Sequence, residues 1–279
     1  MKNKIWRLLL ILTVPLIIAS CSDDKRSDGD PEFSEAKDRD IQSYNIRKAG
    51  EASENRFPCD TVALREYILN NYPAGSYLVE FDKNATYNVG KPAVIYYNAD
   101  RKYVFAIIAK SKAGERLIEP KNIIGFESSF VNLDSTKLGT AFFFLTLFAC
   151  NDDQFEFIWE HEIPVHGGFN NMTVRTWRPK NILYIDVNYE DGIIVGNRNY
   201  NFFMLNGLTS FPHMLETYVG LSCKRTMANI NNDIYPDYYE YIYYDVGKRI
   251  YSPDSVAFLW KEKQNLYVNT RNPRQTRPY

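Results

Sequence analysis

The apolar run from Ala141 to Ala149 constrains the fold more than any other segment of the chain. Such a run fits a strand that is covered on both faces, and a turn of buried helix fits it too. The next segment, Phe155 to Ile163, alternates apolar and acidic residues, so Phe155, Phe157, Trp159, His161 and Ile163 are expected to share one face and Glu156, Glu160 and Glu162 the other. This alternation predicts a half-buried strand.

Most other apolar segments also predict strands. They are short, rich in Tyr, Phe, Val and Ile, and separated by turn residues. The segments are Tyr77 to Phe81, Val94 to Tyr97, Tyr103 to Lys110, Ile182 to Tyr189, Tyr200 to Leu205 and Tyr238 to Val246. Ser255 to Lys261 and Leu266 to Arg271 predict a closing hairpin over residues 262–265.

One segment predicts a helix. Asp60 is a good N-cap for Thr61 to Asn71, and Tyr72-Pro73 stops the helix. Since strands outnumber this helix, we expect a mainly β fold of antiparallel sheets, either propeller-like or a β-sandwich, with one short N-terminal helix. The 15% aromatic content, with 21 Tyr and 17 Phe, suits packing on a sheet and also suits a binding surface.

The N-terminus has the three parts of an export signal. Lys2, Lys4 and Arg7 precede an apolar run from Leu8 to Ile18, which is too short to span a bilayer. Removal of this signal moves the net charge from −1 to about −4. A mildly acidic chain gives no case for nucleic acid as a partner.

The residues that end this signal, Ile18-Ala19-Ser20-Cys21, resemble the lipobox of bacterial lipoproteins. The resemblance implies cleavage before Cys21, acylation of its thiol with lipid such as palmitate, and a membrane anchor. Several acyl chains hold a protein stably. The acidic stretch Ser22-Asp23-Asp24-Lys25 resembles the surface-export signal of Bacteroidetes-type lipoproteins, which implies an outer-membrane location and exposure at the cell surface.

The chain is therefore expected to have four parts. Residues 1–20 form the signal peptide, and residues 21–56 form the lipidated cysteine with a charged, flexible tether that cannot bury enough apolar surface to fold. Residues 57–271 form the β-rich domain, and residues 272–279 form a tail.

With Cys21 lipidated, Cys59, Cys150 and Cys223 remain. Three cysteines allow at most one intramolecular disulfide, and all three pairings are open. The oxidising envelope makes such a bond plausible.

The segment from Asn229 to Glu240 is a candidate calcium loop. Asn229, Asn231, Asp233, Asp237 and Glu240 place side-chain oxygens at loop positions one, three, five, nine and twelve, the spacing that a hard cation requires. The segment resembles the calcium loop of FG-GAP-type propeller blades, and the resemblance implies calcium as a cofactor. Asn229 replaces the usual first Asp and Ile234 the usual Gly. An Asx-rich turn is the alternative.

Two weaker matches to the calcium-loop pattern, Asn132-Leu133-Asp134 and Asp186-Val187-Asn188, lie before it in the sequence. Their spacings are near the length of one propeller blade.

Catalytic signatures are not convincing. His161 and His166 are five residues apart in a predicted strand and do not form a metalloprotease pair. His213 shows no partner in the sequence, and a solvated strand face explains Glu156, Glu160 and Glu162 without chemistry.

Three functions remain open. The preferred one is a non-enzymatic surface lipoprotein that binds a glycan or a protein through aromatic loops. The alternatives are an envelope glycoside hydrolase with dispersed acids and a structural subunit of an outer-membrane assembly. Two carboxylates in one pocket would favour the hydrolase, and a large apolar interface would favour the assembly.

Overall fold

The computed structural model describes residues 39–40, 42–48, 50, 56–73, 76–86, 89–110, 142–152, 154–164, 168–191, 196–245, 247 and 250–279. Several sequence predictions therefore lie outside the described residues. These are the signal peptide at 1–20, the lipidation site Cys21, the tether from residue 22 to 38, the weaker calcium-loop match at 132–134, and His166.

Strands dominate the described residues, as predicted. The helix α1 spans Thr61–Asn71, and a 3-10 turn spans Glu262–Gln264. The strands are β1 (Tyr77–Leu78), β2 (Glu80–Thr86), β3 (Val89–Pro92), β4 (Val94–Asn98), β5 (Lys102–Lys110), β6 (Phe142–Asn151), β7 (Gln154–Ile163), β8 (Phe169–Trp177), β9 (Ile182–Asp191), β10 (Gly196–Phe203), β11 (His213–Val219), β12 (Lys224–Ala228), β13 (Asp237–Asp245), β14 (Ile250–Lys261), β15 (Leu266–Asn269) and β16 (Thr276–Arg277).

The strands form two large sheets and a small ribbon. The first sheet has the order β1-β5-β6-β7, with β4 also paired to β5, and β2 pairs with β3 alone. The second sheet is a nine-stranded meander in which β8 to β16 follow one another in chain order. Every strand pairing described is antiparallel, which confirms the mainly β prediction. Two packed sheets agree with the β-sandwich alternative, and a continuous meander is not divided into separate four-stranded propeller blades.

The first sheet is buried on both faces. Successive side chains of a strand point to opposite faces, so Phe105 and Ile107 of β5 enter the core between the two sheets, while Val104 and Ala106 enter a second core beneath α1. On β6, Leu147 and Phe148 divide in the same way. The described part of the predicted run, residues 142–149, is therefore strand that is covered on both faces.

Helix α1 has the bounds that the sequence predicts. The Asp60 side chain accepts a hydrogen bond from the Ala63 amide at 2.8 Å, as an N-cap does. Leu64 and Ile68 pack on the first sheet. Ahead of α1, residues 42–48 are helical and Ile46 is buried, so this part of the predicted tether is structured.

Strand β7 does not keep the single alternation that its sequence predicts. A β-bulge shifts the register so that Leu147 lies opposite Trp159 but the next residue, Phe148, lies opposite Phe157. The extra residue reverses the side-chain faces. Trp159 and Ile163 therefore enter the core between the sheets, whereas Phe157 contacts Phe148 near α1. The prediction of one apolar face over Phe155 to Ile163 is wrong for this reason.

The second sheet is also covered on both faces around β10. Phe202 lies in the core between the sheets, while its neighbour Phe203 lies in a third cluster that contains Trp177, Trp260 and Tyr267. Strands β13 to β15 supply much of this cluster, so the later strands of the meander help to cover the far face of its earlier strands.

Residues 272–279, predicted to be a tail, are integrated into the domain. Thr276 and Arg277 pair with β15. The backbone oxygen of Tyr279 accepts a hydrogen bond from Arg225 at 3.0 Å, and its ring packs against the core between the sheets.

A disulfide joins Cys59 to Cys150, with a Cα–Cα distance of 6.1 Å. It ties the segment before α1 to the end of β6. Of the three pairings that the sequence left open, this one forms, and Cys223 is not part of it.

Candidate functional site: an arginine-lined cleft

A concavity of the described surface lies where β10, β11 and β12 meet the C-terminal residues. Its volume is about 520 Å³, within the range of small-ligand sites. We call it the arginine cleft. It is lined by Arg198, Glu216, Tyr218, Ser222, Cys223, Arg225, Arg277, Pro278 and Tyr279.

The strand register produces a row of polar side chains beside this cleft. Tyr218 on β11 lies opposite Arg198 on β10 and Arg225 on β12. Arg225 in turn lies opposite Glu240 on β13. Directly opposed residues have adjacent side chains. The guanidinium carbons of Arg198 and Arg225 lie 5.6 and 4.9 Å from the Tyr218 ring centroid, which is cation–π distance.

Arg225 is the most constrained of these groups, with 5% of its side chain exposed. Its guanidinium lies 3.3 Å from a Glu216 oxygen and 3.0 Å from a Glu240 oxygen. It also lies 4.4 Å from the Tyr238 ring centroid. Buried charges of this kind are tolerated when they are paired and hydrogen-bonded. Arg225 therefore holds a rigid position at the base of the cleft.

Glu216 joins the two arginines. Its carboxylate pairs with Arg198 through one oxygen and with Arg225 through the other. The side chain is 8% exposed. A carboxylate held between two guanidinium groups is strongly oriented because bidentate and charge-assisted contacts restrict its rotation.

The tyrosines of this region remain protonated phenols. Burial is the main factor that raises the pKa of Tyr218, and Glu240 and Glu216 add to it while Arg225 opposes it. Burial also raises the pKa of Tyr279 at the rim. Neutral phenol groups can both donate and accept hydrogen bonds, so the cleft offers donors and acceptors besides its charges.

Strand β10 begins with a close approach to the end of β11. Gly196 has a φ of +66°, and a Cβ there would lie 2.5 Å from the Val219 carbonyl oxygen. Only glycine fits this position without displacement. The following turn exposes Leu221, with 65% of its surface accessible, beside Ser222 and Cys223.

The carboxylates at the cleft are engaged by arginine. The cleft's Glu216 and the neighbouring Glu240 both accept hydrogen bonds from arginine, whereas a glycosidase acid must carry a proton to its substrate. The lining contains no histidine that could activate Ser222 or Cys223. Planar, charged and aromatic groups in one cleft can hold an oxygen-rich ligand.

A smaller concavity of about 300 Å³ lies beside α1, lined by Tyr67, Asn71, Tyr72, Pro73, Lys110, Phe157 and Glu160. Lys110 pairs with Glu160 and lies 4.7 Å from the Tyr72 ring centroid. Of the acids predicted on β7, Glu160 thus lies in this concavity, while Glu156 pairs with Arg101 at 2.9 Å.

The predicted calcium ligands Asp237, Asn231 and Asp233 are engaged in hydrogen bonds within the protein. Asp237 accepts backbone hydrogen bonds from Ile230 at 3.0 Å and Trp260 at 3.2 Å. Asn231 and Asp233 bond each other, and Asp233 accepts from the Tyr235 amide at 2.8 Å. The bonds from the Asp233 amide to Asn231 and from the Tyr235 amide to Asp233 are Asx turns.

The other two predicted ligands have different partners. Asn229 donates to Asn232 at 3.3 Å, and Glu240 is held by Arg225. No group of three or more His, Cys, Asp or Glu in the described ranges is arranged to hold a metal ion. Calcium binding stays a prediction.

The two described histidines lie away from the cleft lining. His161 stacks on the exposed Phe211, with ring centroids 4.8 Å apart. His213 contacts Trp260 and Tyr267. The sequence showed no partner for His213 because its contacts come from strands that lie about fifty residues further along the chain.

Comparison of the chain with protein-family models, with curated proteins and with solved structures finds no match. Within the described ranges, no helix combines the length and the hydropathy needed to cross a membrane.

Proposed function

We propose that this chain is a lipid-anchored protein of the bacterial cell envelope, held at the outer membrane through Cys21, whose β domain binds a glycan in the arginine cleft without converting it. The observation that carries the binding proposal is the rigid set of Arg198, Tyr218, Arg225 and Glu216 in one concavity. Binding sites are often built from a few polar groups that the scaffold holds in place.

The chemistry of the cleft supports a glycan. Sugar hydroxyls are donors and acceptors at once, and guanidinium, carboxylate and phenol groups can complement them in fixed directions. Tyr218 and Tyr279 add large amphipathic rings with polar tips.

The N-terminal sequence supports a location in the cell envelope. Lys2, Lys4 and Arg7, the apolar run and the small residues before Cys21 agree with an export signal of the lipoprotein kind. The location is tested in cells that express the full chain, by incorporation of labelled palmitate. Wild-type protein should be labelled and Cys21→Ser should not. Label in the Cys21→Ser variant would contradict the anchor.

Glycan binding is tested with fluorescently labelled, full-length protein on an array of neutral and acidic oligosaccharides. We expect binding to a defined set of glycans, and loss of that binding in Arg198→Gln. Arg178→Gln is the matched control, because Arg178 is exposed in the turn before β9 and lies outside the cleft lining. No binding by the wild type, or equal binding by both variants, would contradict the proposal.

The hydrolase alternative is separated by its product. Each bound glycan is incubated with the protein, and new reducing ends are measured. We expect none, because Glu216 and Glu240 are both engaged by Arg225. Reducing-end release that disappears in Glu216→Gln would replace the binding proposal with the hydrolase.

A further inference from the structure

Arg277 lines the arginine cleft without a carboxylate of its own. Arg198 and Arg225 share Glu216, and Arg225 also holds Glu240. In the described part of the chain, Arg277 makes no ion pair and no side-chain hydrogen bond, although it is half-buried on β16 and faces the cleft.

The buried guanidinium of Arg225 also lacks one hydrogen-bond acceptor, although Glu216 and Glu240 pair with it. The Nε atom of Arg225 is buried and has no hydrogen-bond acceptor among the described residues. A buried polar hydrogen without an acceptor costs free energy, more so when the group is charged.

A count of charges leads to the ligand. Three guanidinium groups and one carboxylate line the cleft. Glu240 offsets one further charge from behind the lining, at Arg225. Among these arginines, Arg277 is the one that no carboxylate side chain of the described residues offsets. A guanidinium group without such a partner attracts and orients an anion.

We infer that the arginine cleft selects an acidic glycan, whose carboxylate, of the uronic acid type, binds Arg277. This inference rests on the proposed function and names the ligand class of the same site. The anchoring chemistry is an oxyanion on a sugar ring, which a sulfate ester could also supply. A planar carboxylate matches the planar fork of a guanidinium with two parallel hydrogen bonds, so the carboxylate is the ligand to which we commit.

The test uses full-length protein in detergent and three tetrasaccharide probes. The first is tetragalacturonide, the second its methyl ester, in which each carboxylate is neutral, and the third a sulfated tetrasaccharide. Titration calorimetry at low salt should show the acid binding at least tenfold more tightly than the ester and than the sulfated probe. The preference for the acid should weaken as salt is raised, because screening reduces charge–charge attraction.

Variants connect that preference to one residue. Arg277→Gln should reduce the difference between acid and ester to less than twofold, while Arg277→Lys, which keeps a point charge but loses the fork, should retain part of it. Arg274→Gln is the matched control: it removes an exposed arginine three residues away, outside the cleft lining. Thermal melting confirms that all three variants fold.

Each contrary outcome is distinct. Equal binding of acid and ester, or binding on the array only to neutral glycans, overturns the acidic-glycan inference and leaves the proposed glycan binding intact. Tighter binding of the sulfated probe overturns the assignment to a carboxylate. A preference for acid that survives in Arg277→Gln overturns the role of Arg277. Absence of any glycan binding, with binding instead to a glutamate-rich peptide, overturns both proposals.

Discussion

The Nε2 atom of His213 lies 2.7 Å from the Tyr267 hydroxyl, which itself donates to the Pro236 carbonyl oxygen at 2.8 Å. A phenol has one proton, so the hydroxyl oxygen accepts the hydrogen of a neutral His213 ring. Burial, with a smaller contribution from His161, lowers the pKa of His213 to about 3. This contact joins the start of β11 to β15 in the third cluster.

The first prediction concerns the pH dependence of stability. Because the folded-state pKa of His213 is depressed, the contribution of neutral His213 is fully present above pH 6.5. It is lost as the pH falls from about 6.5 toward 3, since the unfolded chain takes up the proton first. One such group lowers the free energy of unfolding by about 1.4 kcal/mol per pH unit in this window.

Urea unfolding at pH 7, 6, 5 and 4 measures that slope. His213→Gln, which can still donate to Tyr267, should show a slope smaller by about 1.4 kcal/mol per pH unit. Burial also lowers the pKa of His161, so His161→Gln is a useful comparison with the same direction of change. Identical slopes for the wild type and His213→Gln would contradict the buried neutral histidine.

The second prediction concerns the disulfide. Cys59 and Cys150 are separated by 91 residues, so their bond restricts a long loop in the unfolded chain. Replacing both with serine should lower the free energy of unfolding by about 2–5 kcal/mol. Thermal melting with and without reductant checks this. Cys223→Ser should respond to reductant as the wild type does, and a reductant-insensitive wild type would contradict the bond.

The third prediction ranks two acids of the 229–237 loop. Asp237 is fully buried and orders the loop through backbone N–H groups on both sides. Asp237→Asn should cost about 1.5–3 kcal/mol because one oxygen becomes a donor that faces donors. Asp233→Asn, in a partly exposed Asx turn, should cost less than about 1 kcal/mol. Urea unfolding measures both, and a reversed order would refute this account of the loop.

The fourth prediction concerns calcium. A ligand that binds only the native state raises its stability. The Asp237 oxygens already accept backbone hydrogen bonds and Glu240 is held by Arg225. These contacts compete with the calcium binding that the sequence predicts, so we expect, against that prediction, the same melting temperature in EDTA and in millimolar calcium. A calcium-dependent rise that Asp233→Ala abolishes would instead establish the loop as a metal site.

Local pattern was enough to predict much of the fold. The cap at Asp60 and the stop at Pro73 define α1, and apolar runs locate β5 and β6 because these strands are buried on both faces. The hairpin of β14 and β15 follows from two strand-like segments around a short turn. Each of these signals is formed by residues that lie within a dozen positions of one another in the sequence.

The sequence analysis did not anticipate features that depend on partners. Strand β8 alternates polar and apolar residues irregularly, and β11 and β12 are short, so their pairing depends on neighbours in the meander. The bulge in β7 comes from its register with β6, which no local pattern records. Residues 276–277 carry an arginine and no large apolar side chain, and they become a strand only by pairing with β15.

The arginine cleft was missed for the same reason. Arg198, Glu216, Arg225 and Arg277 lie on four strands, and none of them belongs to a sequence motif. The alternation of Glu216 and Tyr218 on β11 places both on one face, which was a usable local signal. The partners across the sheet could be assigned only once the register was known.

The most direct test of the central claim is the glycan array, read for full-length wild type beside Arg198→Gln and Arg178→Gln. The account predicts that the wild type and Arg178→Gln bind the same set of glycans and that Arg198→Gln, although folded, binds them at least tenfold more weakly. A wild-type protein that binds no glycan, or an Arg198→Gln variant that binds as the wild type does, would contradict a glycan site in the arginine cleft.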